Sequence, residues 1–122
     1  MKGSDHPHGF LIDAKNRRAY ISCEGNNRLI VADLADMKAT QNLPVADGPD
    51  VLALDQSLGR LYVGCEGGEI DVFQETSSGL TPIGDFRAPN AHTVSVDQKT
   101  HRVFIALKNV NGKPEMWVLK PK

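Results

Sequence analysis

His8-Gly9-Phe10-Leu11-Ile12-Asp13 reappears as Asp50-Val51-Leu52-Ala53-Leu54-Asp55, and again as His92-Thr93-Val94-Ser95-Val96-Asp97. The closing aspartates Asp13, Asp55 and Asp97 are 42 residues apart each time. Arg18, Arg60 and Arg102 keep that interval, as do Tyr20, Tyr62 and Phe104, and Ile21, Val63 and Ile105. Cys23 and Cys65 occupy equivalent places, where the third copy has Leu107. Self-similarity at one fixed period marks a repeat architecture.

Each copy reads as β structure. An apolar run ending in Asp is followed by a polar turn: Ala14-Lys15-Asn16-Arg17, Gln56-Ser57-Leu58-Gly59 or Gln98-Lys99-Thr100-His101. A second run follows (Ala19–Cys23, Leu61–Cys65, Val103–Leu107), then a third at Arg28–Leu34, Glu69–Phe73 and Glu115–Leu119. Weaker fourth runs lie near Leu43–Val45 and Leu80–Phe86. Short runs of Val, Ile, Tyr and Phe bounded by Gly, Asn and Asp are strand signals. Leu34–Thr40, too short for an independent helix, reads as a loop between strands. Four antiparallel strands per repeat of about 40–45 residues is the pattern of a β-propeller blade. A β-sandwich would show turn signals without the long period. The expected fold is therefore all-β, with blades over approximately 6–47, 48–89 and 90–122 in one partial propeller domain, 1–122.

Blades stack face to face, so both faces of an inner strand should be covered. Phe10, Ile12, Leu52, Leu54, Val94 and Val96 form the bulkier face; Gly9, Ala53, Thr93 and Ser95 form one of smaller groups, as converging strands require. Closed propellers usually need four or more blades. With 122 residues and a 42-residue period, the ring is incomplete unless another chain or further sequence completes it. Two copies would make a ring of six blades with two-fold symmetry.

Gly48-Pro49-Asp50-Val51-Leu52-Ala53-Leu54-Asp55 followed by Gly59-Arg60-Leu61-Tyr62-Val63-Gly64 resembles the YVTN-type (YncE-like) bacterial β-propeller repeat. Asn26-Asn27-Arg28-Leu29-Ile30-Val31-Ala32-Asp33 resembles that repeat's Asn-rich turn and following strand, and Ala91–Phe104 its last blade. The resemblance runs from about His6 to Pro121. Departures are Cys23-Glu24 and Cys65-Glu66 where Asn usually ends the second strand, and Gln74 and Lys120 where the third ends in Asp. The resemblance implies the C-terminal blades of a larger propeller and a periplasmic or secreted setting.

Composition narrows the functional classes. Lys and Arg number 14 against 15 Asp and Glu, and the pI is about 6.4, which argues against a dedicated nucleic-acid or anionic-membrane binder. Aromatic residues make up 6% of the chain, too few for single-strand stacking platforms beside a basic groove. The first residues lack the apolar core of a signal peptide, and no apolar run approaches the roughly 18 residues of a membrane-spanning helix. Two cysteines do not make a disulfide scaffold, and their alignment with Leu107 identifies an apolar slot for structural thiols. Trp117 reads as packing between blades.

Strand direction places His8, Asp50 and His92 at one end of the ring, with Glu24, Glu66 and Lys108 returning to it. These six form the candidate ligand-binding rim. No cofactor is expected; the alternative is a divalent metal, to which His8, Asp50 and His92 would supply mixed nitrogen and oxygen ligation. No catalytic residue is assigned, since neither HExxH, CxxC nor Gly-x-Ser-x-Gly occurs. His6-Pro7-His8 offers a weaker metal reading at the terminus. The expected function is a non-catalytic scaffold presenting rim or channel to a ligand or partner protein. The alternative is a metal-dependent, lactonase-like hydrolase with its site at the channel mouth. Partners expected are a second copy or the rest of a longer propeller, with no nucleic acid and no membrane. The repeated Asp and Arg read as exposed hairpin pairs, with Asp starting each turn.

Overall fold

A computed structural model describes residues 3–121, leaving the side chain of His92 outside the described set. The described residues form strands joined by turns, with no helix. The first sheet is β1 (Pro7–Asp13), β2 (Arg18–Cys23), β3 (Arg28–Asp33) and β4 (Lys38–Pro44). The second is β5 (Pro49–Asp55), β6 (Arg60–Cys65), β7 (Glu69–Thr76) and β8 (Gly79–Arg87). The third is β9 (Ala91–Val96), β10 (Val103–Val110) and β11 (Lys113–Leu119). In each sheet neighbouring strands are antiparallel and spatial order follows chain order. The three sheets make an open, incomplete propeller. The loop expected at Leu34–Thr40 is shorter than read: β4 has begun by Lys38, and Asp33 and Asp36 accept the turn amides of Ala35 and Lys38.

β1, β5 and β9 pack side by side and mark the centre. One apolar core joins the first two sheets through Tyr20, Leu29 and Val31 against Leu54, Leu61, Val63 and Cys65. A second joins the next pair through Tyr62 and Ile70 against Val94, Val103, Ile105 and Leu107, with Trp117 packed on it. Burying side chains like these contributes about 1.5–3 kcal/mol each relative to exposure. The Cys slot is apolar as read: both thiols are free and buried.

Coverage of the inner strands is not uniform. Leu54 is 7% exposed and Val94 3%, but Phe10 and Ile12 on the first sheet are 62% and 55% exposed. Among the described residues no other sheet covers this leading face of the first. The opposite face of the third sheet is open in the same way. Met116 is 66% exposed and Val118 51%, whereas their register equivalents Leu29 and Val31 are 0% and 1%.

The repeated Asp–Arg pairs form in register, Asp13 opposite Arg18 and Asp55 opposite Arg60, and each Asp caps its turn. Reading them as exposed needs correction, because Asp13 and Asp55 are fully buried. Arg18 donates instead to the carbonyls of Thr76, Ser77 and Gly79 in the second sheet. The Asp carboxylates are enclosed because the next blade lies over them, a contact that local sequence does not encode.

Candidate functional site

The rim is built by strand ends. His8 and Asp50 open β1 and β5, and Glu24 and Glu66 follow the ends of β2 and β6. Backbone hydrogen bonds tie these ends together: Glu24 N–H to His6 O, Glu66 N–H to Gly48 O, and Lys108 N–H to Asn90 O. Of the six expected rim residues, His8, Glu24 and Asp50 come together. His8 Nδ1 lies 2.8 Å from Asp50 Oδ1 and 3.8 Å from Glu24 Oε2. Donation from Nδ1 to Asp50 would leave Nε2 with a lone pair, the arrangement that orients metal-binding imidazoles. Glu66 and Lys108 are exposed at the same end. The side chain of His92 lies outside the described residues. His6 Nδ1 lies 2.6 Å from its neighbour Asp5.

Sequence reading missed a carboxylate group elsewhere. Glu69, Asp71 and Asp85 bring one oxygen each within 4.8 Å of one another, beside a cavity of about 450 Å³. Burial pushes the Asp71 carboxyl up; the Ala46 amide, donating to it at 2.8 Å, works against this, and the charge of Asp85 adds to it. The register pairing Asp71 opposite Asp85 was the available signal; Glu69-Ile70-Asp71-Val72 alternates polar and apolar, but β8, with Ile83 between Pro82 and Gly84, lacks the alternation that fixes the pairing from sequence.

The end of the ring opposite the rim carries a second polar junction. Tyr20 donates its hydroxyl to Glu75, Gln56 Nε2 donates to Asp13 at 2.9 Å, and Asn16 donates to Asp13 at 2.8 Å. Burial, then the hydrogen bond shared with Asp13, pushes the Glu75 carboxyl up to about 7. Burial works against ionisation of Asp13, but hydrogen bonds from Glu75, Asn16 and Gln56 outweigh it and hold that carboxyl well below the usual range. The two carboxyls are thus shifted in opposite directions across the first blade junction, Glu75 up and Asp13 down. The next junction uses His101, whose Nδ1 lies 2.8 Å from buried Asp55, and Gln98, which donates to Leu54 O at 2.7 Å.

No family model matches the sequence, and no curated protein does. Solved structures do match. Hydrazine synthase from Kuenenia stuttgartiensis superposes with a TM-score of 0.81 at 14% identity, over 93% of this chain and 34% of that one. The β-propeller domain of Cps50 (Swd1) from Myceliophteria thermophila gives 0.73 at 13% identity, over 95% and 38%. A chain of a nidogen–laminin complex gives 0.73 at 14%, over 96% and 45%. At these identities the likeness establishes the fold: the chain is a run of β-propeller blades. It spans between a third and a half of the length of these structures.

Proposed function

We propose that this chain is a non-catalytic β-propeller scaffold that presents its rim and channel to a ligand or partner protein, with His8, Glu24, Asp50, Glu66, His92 and Lys108 as the ligand-facing rim. The observation that carries the reading is the exposed rim of strand ends, where His8 Nδ1 lies 2.8 Å from Asp50 Oδ1 and 3.8 Å from Glu24 Oε2, with Glu66 and Lys108 exposed at the same end. Structures with the same blades include assemblies, the mitotic checkpoint and nidogen–laminin complexes among them. Membership of the YVTN-type family, as the C-terminal blades of a longer propeller, is part of this proposal and rests on the sequence motifs alone.

The hydrolase alternative requires a metal on His8, Asp50 and His92, and the comparisons lend it no support. Metal analysis of chelator-free protein and a lactone and ester turnover assay separate the readings. The scaffold gives no stoichiometric divalent metal and no turnover. Bound metal, together with turnover that His8→Ala abolishes, would replace it with the enzyme.

A further inference from the structure

One slot of the blade is filled differently in the second sheet. Ile30, Asp71 and Trp117 are equivalent, each lying opposite one repeated position: Ile21, Val63 or Ile105. Ile30 is fully buried, and Trp117 packs on the core between the second and third sheets. Asp71 is half-buried, and the corresponding place at the first junction is a cleft of about 450 Å³. The cleft lies between two four-stranded sheets that pack on each other, so its walls owe nothing to further blades at either end.

Those walls are apolar. Pro44, Val45 and Ala46 line the cleft where the chain leaves the first sheet, and Val72, Phe73 and Pro82 line it from the second. Gly84, opposite Val72, has open space where a side chain would begin, so the mouth stays clear.

The charge in the cleft is of one sign. Glu69, Asp71 and Asp85 each bring an oxygen within 4.8 Å of the others, and Asp71 stands directly opposite Asp85 in the strand register. Like charges so placed are destabilising. Among the described residues no lysine, arginine or histidine makes an ion pair with any of the three. The Ala46 amide donates to Asp71 at 2.8 Å. A local conflict of this kind, at a slot that both sister sheets fill with an apolar side chain, is what a position kept for a ligand looks like.

We infer that the cleft docks an extended segment of a partner protein and takes one arginine side chain from it, the stem between the apolar walls and the guanidinium on the three carboxylates. Arginine suits each part of the cleft. Its aliphatic stem covers apolar surface, its planar head takes the place that Trp117 fills at the next junction, and its fork of donors matches carboxylate oxygens. Lysine, a compact and strongly hydrated charge, fits a flat and partly dry slot less well. None of the lining residues belongs to the rim of His8, Glu24 and Asp50, so the cleft is a second surface of the scaffold and stands or falls apart from the first.

Amide NMR shifts of the full chain, titrated with the blocked peptide acetyl-Gly-Ser-Val-Arg-Val-Ser-Gly-amide, test this. The expected shifts centre on Val45, Ala46 and Val72. Citrulline in place of the arginine keeps the shape and removes the charge, and should weaken binding at least ~10-fold; lysine should weaken it ~3-fold. Asp85→Asn should weaken it ~5–10-fold. Asp71→Ile, which gives the second sheet the first sheet's residue, should abolish it while urea titration shows the chain still folded. If that variant unfolds, Asp85→Asn alone decides. Asp36→Asn, an exposed carboxylate outside the cleft, should leave the affinity within ~2-fold. Equal binding of the citrulline peptide, shifts centred elsewhere, or no shifts at about 5 mM peptide overturns the proposal. Displacement of the peptide by calcium chloride at about 1 mM would make the carboxylates a cation site and overturn it too.

Discussion

Gly9 meets Asp50 so closely that a methyl group on Gly9 would stand 1.9 Å from the Asp50 carbonyl oxygen and 2.4 Å from Ser22 Oγ. The contact joins the innermost strands of two blades. Ser22 fastens it, accepting from the Gly9 amide at 2.9 Å and donating to Asp50 O at 3.1 Å. Glycine is needed here for close approach and not for an unusual backbone angle.

Gly9→Ala should therefore destabilise the fold by about 2–3 kcal/mol, because the obstructing atom is backbone and cannot rotate away. Gly64→Ala is the control: its added methyl would find neighbours no nearer than 3.5 Å, an ordinary contact. Denaturant titration of both variants should show a large loss for the first and a change within about 1 kcal/mol for the second.

The Glu75–Asp13 pair predicts a pH dependence with a definite sign. The Glu75 carboxyl titrates near 7 in the folded chain and near 4.5 when free, so the folded state holds an extra proton between those values. Its contribution to stability is complete below about 4.5 and is lost as pH rises through about 7. Asp13 runs the other way: its depressed carboxyl contributes above 3.8 and loses that contribution only in stronger acid. Raising pH from 4.5 to 7.5 should cost about 1–2 kcal/mol, discounted for partial exposure of Glu75. Glu75→Gln should flatten this part of the profile, measured by thermal melts across the range.

The thiols should be silent in the folded protein. Cys23 and Cys65 are fully buried, and burial, followed by the charge of Asp71, pushes the Cys65 thiol up to about 12. Thiolate is the reactive form, so a disulfide reagent at pH 8 should modify neither cysteine before unfolding. Its rate should instead follow the opening equilibrium and rise steeply with added urea. Rapid labelling of either cysteine without denaturant would contradict the enclosed apolar slot.

The fold was legible because β2, β6 and β10 have the same neighbours in every blade, so selection for one slot repeats at positions such as Tyr20, Tyr62 and Phe104. The turn aspartates were legible for the same reason, since each caps its own hairpin. Their burial was not, because Asp13 is enclosed by Gln56 and Glu75 from the following blade. Glu75 itself lies in the extension of β7 to Thr76, and the first blade's β3 stops at Asp33, so no repeat announces it. At the rim, strand direction put His8, Glu24 and Asp50 at one end, where His8 Nδ1 lies 2.8 Å from Asp50 and 3.8 Å from Glu24. What strand direction cannot supply is the distance across the ring, which depends on the blades that complete it.

The left-handed turn positions give the last prediction. Arg17, Gly59 and His101 share one place in the repeat and have φ of 54°, 65° and 65°. The second blade uses glycine there, and the third accepts the backbone strain of a histidine. His101 gains an interaction in exchange: its Nδ1 sits 2.8 Å from Asp55, whose carboxylate is 0% exposed. His101→Gly keeps the backbone comfortable, as Gly59 demonstrates, and removes only the imidazole. Asp55 would retain the Leu58 amide at 3.2 Å but lose its contact with the third blade. A hydrogen bond to a buried charged group contributes about 1.5–3 kcal/mol, and relief of strain returns up to about 1 kcal/mol. The expected net loss is about 1–2 kcal/mol in urea titration, whereas Arg17→Gly, with no such partner, should be neutral or slightly stabilising. Equal responses of the two sites would mean that His101 does not tie the second blade to the third.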